Sequence, residues 1–444
     1  MSRVFGIELR RSAALGSALV LALVGTLLLV LDAGAGFATG WMQLAMTQRL
    51  YLALLWPLAL AAGAWQGRRE HRTRVGELFA STPRPVAQRA LPTIGAMAVA
   101  VTGGYLLMGL AGGLWIARTA EYLPARVFVV TAVGVLALIA AVWLGLAVGR
   151  LLPWLGVAPA LAVAGLGLLL TIPAATRPRG WLALVFSPIY EMNMPGSYAD
   201  VPARVSGAQA VWLAALAGAA VVLLASSGWR ARTAALLPVA VGAALAIAVM
   251  PHQNRIVTDA VDPVAKELVC ADGTPRVCVG RVHSGILDDL AGPARDGLKL
   301  LARLPGAPTE VHENTTTWRP DVYPAFRADV VLLSVRSGMD GHLADRSEIL
   351  EEVVTGAFAG PPTCETVPGP AERIAAAHWL IGREPAVPGP SADGFAADYY
   401  GEAAQLWQGL QRLSDGEAQA RVLALREAAV TCTASGGLLT GGKG

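Results

Sequence analysis

The sequence predicts a polytopic α-helical membrane protein of about seven transmembrane helices, followed by a mixed α/β extracytoplasmic domain. Three observations carry this expectation. The 444-residue chain is 54% hydrophobic and only 15% charged, where a soluble chain carries roughly a quarter charged residues. Apolar stretches approaching the ~20 residues that cross a bilayer core fill the first 250 positions. Charge is also divided unevenly. Up to Met250 there are 18 Arg, no Lys and 7 acids, a net of +11; from Pro251 onward 17 basic and 25 acidic residues give −8. The formal net charge of +3 therefore sums two unlike halves. This excludes a disordered chain, a coiled coil and a single soluble domain, and divides the chain into domains 1–250 and 251–444.

The expected spans lie near residues 13–31, 50–65, 90–117, 127–149, 151–173, 209–226 and 234–250. The second is short and extends by borrowing residues 41–48; the seventh is short but has no charge from Leu236 to Met250. Trp41, Tyr51, Trp115, Trp154, Trp212 and Trp229 sit near span ends, where interfacial aromatics belong. Ala33-Gly34-Ala35 mimics a signal-peptide cleavage site. The apolar run before it is longer than a signal core, so an uncleaved first span is expected.

Arginine placement predicts orientation, because cytoplasmic loops are enriched in basic residues. Arg3, Arg10, Arg11, Arg68, Arg69, Arg72, Arg74, Arg84, Arg89, Arg150, Arg230 and Arg232 fall on one side of the seven-span plan. Arg49, Arg118, Arg126, Arg177, Arg179 and Arg204 fall in short loops on the other. The twelve-Arg side is expected to be cytoplasmic, in a plasma membrane, with the N-terminus inside and the C-terminal half outside. All four cysteines (Cys270, Cys278, Cys364 and Cys432) lie in that outer half, where disulfides persist. Two short strands flank Ala271-Asp-Gly-Thr274, and an Asp-Gly hairpin turn would bring Cys270 and Cys278 together. Cys270–Cys278 with Cys364–Cys432 is the preferred of three possible connectivities. The Cys-x7-Cys spacing does not suit a zinc knuckle, and no metal is expected.

Within the outer half, residues 257–282 read as strand-rich, and 286–304 as a helix interrupted at Gly292-Pro293. Residues 329–335 form a β-branched run of a buried strand. Residues 372–381, 401–413 and 417–432 have helical apolar spacing. The Gly-rich tail 433–444 is expected to fray.

Chemistry-bearing motifs are few. Gly437-Leu-Leu-Thr-Gly-Gly442-Lys443 has phosphate-loop spacing, but no Ser or Thr follows to hold magnesium and no helix opens there. His312-Glu313 begins a zinc-protease-like pair, but the position four after His312 is Thr316. His252, His283 and His342 are isolated in sequence, and His378 reads as a packing residue. No catalytic residue is assigned, and the chain is not expected to be an enzyme. The pI of about 8.7 reflects membrane-rim arginines, so no nucleic-acid partner is expected. The expected spans lack acids, His, Lys and Arg along their cores, unlike ion-coupled transporters. Gly109-x3-Gly113 and Gly145-x3-Gly149 suit close helix packing.

The segment 67–89 is the most specific feature, with a basic helical face over 68–80 broken by Ser81-Thr82-Pro83. Together with a short basic N-terminal helix, span one, Trp56-Pro57 and the string Gly76-Glu-Leu-Phe-Ala-Ser-Thr-Pro-Arg84, it resembles the permeases of ATP-binding-cassette (ABC) type-2 exporters, as found in actinobacteria. The similarity covers approximately residues 1–250; a seventh span and the outer domain depart from the usual six-span plan. The resemblance implies a membrane permease subunit of an ABC-type exporter, energised by a separate cytosolic ABC ATPase docking on the 67–89 loop. Arg72, Arg74, Glu77, Leu78, Ser81, Thr82 and Arg84 are the docking candidates it implies. It further implies a permease dimer, homomeric or heteromeric, within the lipid bilayer. No cofactor is implied in this chain; ATP is bound by the partner subunit. The alternative is a membrane-anchored extracellular binding or sensor module without transport.

Overall fold

A computed structural model describes residues 6, 8–9, 13–31, 36–72, 86–189, 195–225, 228–252, 260–318, 321–338, 340–386 and 394–441. The chain divides into two compact units, Met1–Asp262 and Pro263–Gly444. The division lies twelve residues beyond Met250, and local hydrogen bonds account for its place. Asp200 N–H donates to Ala260 O and Asp262 N–H donates to Tyr198 O, at 2.9 and 3.0 Å. An antiparallel bridge joins Ala199 to Val261, and the Tyr122 hydroxyl donates to Asp262 at 2.6 Å. The last residues of the first unit are therefore stitched to its own surface.

The first unit is helical. Its main helices are α1 (Ala14–Leu31), α2 (Trp41–Leu50), α3 (Leu52–Gly67), α4 (Val86–Ile116), α5 (Arg126–Leu151), α6 (Val157–Ala175), α7 (Gly180–Phe186), α8 (Ala203–Ala225) and α9 (Leu236–Val249), with short helical turns at Gly36–Thr39, Arg69–Arg72 and Trp229–Ala234. Among the described residues, six helices are long and apolar enough to cross a membrane: α1, α4, α5, α6, α8 and the stretch Arg232–Val249 that contains α9. A seventh span arises if α2 and α3, bent by 52° at Tyr51, are taken as one. Pro57 follows the bend inside α3; it lacks an N–H and crowds the carbonyl four residues earlier, a common cause of helix distortion.

Glycine sets how closely these helices pack. A Cβ placed on Gly145 or Gly149 of α5 would lie 2.1 Å from Leu60 O and 2.2 Å from Ala64 O of α3. The converse holds for α3, where a Cβ on Gly63 or Gly67 would lie 2.1 Å from Val142 O and 2.3 Å from Leu146 O of α5. Two small-x3-small motifs therefore interlock backbone against backbone, the arrangement that lets helices associate where water is absent. Gly109, Gly112 and Gly113 of α4 similarly accept Gln48, Leu44 and Trp41 of α2.

The second unit is mixed α/β. Its elements are β1 (Leu268–Cys270), β2 (Arg276–Gly280), α10 (Leu287–Leu301), β3 (Glu310–Glu313), β4 (Thr317–Trp318), β5 (Asp321–Val322), β6 (Val330–Leu333), α11 (Ile349–Gly356), α12 (Pro370–Ile381), α13 (Gly394–Gln411) and α14 (Asp415–Val430). The main sheet runs β1-β2-β3-β6. β1 is antiparallel to β2, with Cys270 opposite Cys278, while β2, β3 and β6 are parallel. The β2–α10–β3 connection is a helical crossover of the kind parallel strands require.

Two local expectations are corrected here. The helix over 286–304 is not interrupted at Gly292-Pro293, because α10 runs through Pro293. Leu287, Leu290, Ala294, Leu298 and Leu301 form one buried stripe on α10, and its burial outweighs the single hydrogen bond Pro293 removes. The tail does not fray through residue 441. Leu439 is buried, its carbonyl accepts from Arg421 at 2.8 Å, and Gly437 N–H donates to Glu372 at 3.0 Å.

Candidate functional site

Of the docking candidates, Arg72 closes a short helix, Arg69–Arg72. Arg74, Glu77, Leu78, Ser81, Thr82 and Arg84 lie outside the described residues. The segment that leads to them is firmly held. Arg68, 7% exposed, donates to Pro153 O and Leu155 O at 3.2 Å each, and Arg69 pairs with Glu8 at 2.9 Å. Arg150 donates to Leu224 O at 2.9 Å, near the last turn of α8. Arg150 thus takes up a helix-end carbonyl that has no partner within α8, joining the ends of α5 and α8, and Arg68 joins the end of α3 to the α5–α6 connector.

The cysteines pair as Cys270–Cys278 and Cys364–Cys432. The first bond sits across the β1–β2 hairpin. The second joins the stretch after α11 to the end of α14.

The histidines of the second unit do not converge on one centre; each faces its own carboxylate. His283 Nδ1 lies 2.6 Å from Glu313 Oε1, with both side chains buried, and Gly280 N–H donates to the other Glu313 oxygen at 2.7 Å. His312 Nε2 lies 2.9 Å from Glu310, and His342 Nδ1 lies 3.1 Å from Asp289. Burial lowers the His312 pKa, against the opposing pull of Glu310. His378 is 1% exposed; its Nδ1–H donates to Arg383 O at 2.9 Å and its Nε2 lies 3.1 Å from Glu351. The Tyr400 hydroxyl donates to the same Glu351 oxygen at 2.9 Å. Burial pushes the Glu351 carboxyl up, but the hydrogen bond and charge of His378, with Tyr400 and Arg383, hold it below the ordinary carboxylate value. This cluster ties α11, α12 and α13 together. Among the described residues no three His, Cys, Asp or Glu side chains are placed to share a metal ion.

The first unit holds a polar centre that reading the sequence missed. Arg49 is not in a short loop. It lies in the last turn of α2 and is fully buried, so the bent span does contain an ionisable group. Its Nε donates to Pro188 O at 3.0 Å, and its Nη2 donates to Gln209 Oε1 at 3.0 Å. Gln209, also fully buried, donates onward to Leu184 O at 2.9 Å. Gln43, one side of α2 earlier, donates to Ser197 O at 2.6 Å. Thr47 and Gln48 add buried hydroxyl and amide groups on the last turns of α2. The sequence signal was present in Gln43, Thr47, Gln48 and Arg49, a polar run inside an apolar region. A buried cation held by carbonyl and amide dipoles is a candidate functional position in a membrane protein. Arginine stays protonated, so this centre can bind and orient hydrogen-bonding groups but offers no acid–base chemistry of its own. Compared with known protein families, curated proteins and solved structures, the chain matches none of them.

Proposed function

We propose that this chain is the membrane permease subunit of an ABC-type exporter, energised by a separate cytosolic ATPase that docks on the 67–89 loop. The observation that carries the reading is the clamped approach to that loop. Arg68 is bound to the α5–α6 connector, and α3, which leads into it, interlocks with α5 through Gly63, Gly67, Gly145 and Gly149. A displacement applied at the loop therefore moves α3 and α5 together, and α3 leads back to the bend beside Arg49. The resemblance over residues 67–89 supplies the partner, and a second permease subunit completes the assembly. In this reading the twelve-arginine side is cytoplasmic and the second unit is extracytoplasmic. Two disulfides, favoured in oxidising compartments, support that placement.

Purification of the full chain from its native membranes, with bound Walker-motif ATPases identified by mass spectrometry, tests the reading. The wild type should retain the ATPase, and a Glu77→Ala/Arg84→Ala variant should lose it while still inserting in the membrane. Equal retention by both proteins would overturn docking on this loop.

A further inference from the structure

We propose that the end of the helical unit formed by the α5–α6 and α8–α9 connectors binds the phosphodiester headgroups of anionic phospholipids through Arg230 and Arg232, with Trp229 as the interfacial anchor. The Arg150–Leu224 hydrogen bond, 2.9 Å, places both connectors at the same end of the bundle. Trp229 is 71% exposed, and the Arg230 guanidinium lies over its ring, 5.5 Å from the centroid. Arg230 and Arg232 are both exposed. Beside them, Leu236 and Leu237 are each 67% exposed at the start of α9, and Trp154 and Leu155 on the other connector are 71% and 79% exposed.

In water this surface is contradictory, since it displays large apolar side chains and exposed cations together. An anionic leaflet satisfies both demands at one depth. Indole rings prefer the headgroup level, leucines just below it reach the acyl chains, and a guanidinium presents a planar fork that matches phosphate oxygens. Stacking of Arg230 on Trp229 aligns the cation with the indole that sets the depth. Beside these two connectors, among the described residues, Arg68 and Arg150 are engaged by backbone carbonyls, while Arg230 and Arg232 are exposed. Each basic residue near an anionic surface is worth about 1 kcal/mol.

The full chain in a neutral detergent can be titrated with brominated phosphatidylglycerol. The Trp229 signal is taken as the quenching in wild type that is absent from Trp229→Phe. Saturable Trp229 quenching is expected, with the midpoint moved roughly 30-fold higher in Arg230→Gln/Arg232→Gln. Arg177→Gln/Arg179→Gln, also exposed, should leave it unchanged. An unmoved midpoint in the first double variant, or equal quenching by brominated phosphatidylcholine, would overturn the proposal. Equal competition by soluble glycerol phosphate would assign the site to free phosphate and overturn the lipid as its source.

Discussion

Arg49 of α2 and Gln209 of α8, 160 positions apart, are hydrogen-bonded at 3.0 Å in the interior of the helical unit. Gln209 accepts from the guanidinium and donates to Leu184 O, so one side chain links the bent span to α7 through α8. Hydrogen bonds to a charged group contribute about 1.5–3 kcal/mol each, more than neutral pairs. Gln209→Leu should lower the melting temperature of the detergent-solubilised chain by about 5 °C. Arg49 also holds Pro188 O, so Arg49→Met should destabilise as well, and Arg49→Met/Gln209→Leu should lose less than the sum of the two single losses. A double-variant loss equal to that sum would show that the two residues are not coupled.

The α3–α5 contact depends on hydrogen atoms where other residues carry Cβ. Gly145→Ala should cost about 1–3 kcal/mol by overpacking against Leu60 O, visible as loss of monodisperse protein on size exclusion. Gly167 of α6 meets nothing within 4 Å, so Gly167→Ala should behave as wild type. Equal behaviour of the two variants would refute the interlock.

The two disulfides should differ in weight. Cys364–Cys432 spans 68 residues and Cys270–Cys278 spans 8. Loop-closure entropy then gives about 4 and about 2.5 kcal/mol. Replacing both Cys364 and Cys432 by Ser should expose the second unit to limited proteolysis of the intact chain more than the corresponding change at Cys270 and Cys278.

Glu351 and Glu352, adjacent on α11, should respond to neutralisation with opposite signs. The Glu351 carboxyl is held below the ordinary 4.5. Its stabilisation is therefore complete above that pH and fades as pH falls through its folded-state value. Burial raises Glu352, with Arg336 opposing, so its folded form loses stability as pH rises through its own value. At pH 7, Glu351→Gln should lower and Glu352→Gln should raise the resistance of the second unit to urea, read by proteolysis of the intact chain. Shifts of the same sign would contradict this assignment.

Topology can be read with a membrane-impermeant thiol reagent. If the second unit is outside, mild reduction of intact cells should expose Cys364 and Cys432 to labelling. Labelling that needs lysis would reverse the orientation.

Much of the fold was legible from local pattern. Long apolar runs marked the six long spans, and an Asp-Gly turn between short strands marked the hairpin in which Cys270 faces Cys278. Gly145 and Gly149 were readable as packing positions, but their partners Gly63 and Gly67 were not, since nothing in the sequence says which helices touch. Pro293 and the Gly-rich tail misled because local conformational preference is weaker than burial of Leu290 and Leu298 or of Leu439.

The sequence alone determined where the chain is apolar enough to leave water and where its charge changes sign, because hydropathy and charge are properties of residues in order. Only the tertiary structure decided that Arg49 is interior while Arg230 and Arg232 stay at the surface, and that His283, His312, His342 and His378 each have a different carboxylate. The physical reason is that a charge can be buried only where acceptors converge on it. Those of Arg49, Pro188 and Gln209, lie 139 and 160 positions along the chain and reach it only when the helices pack.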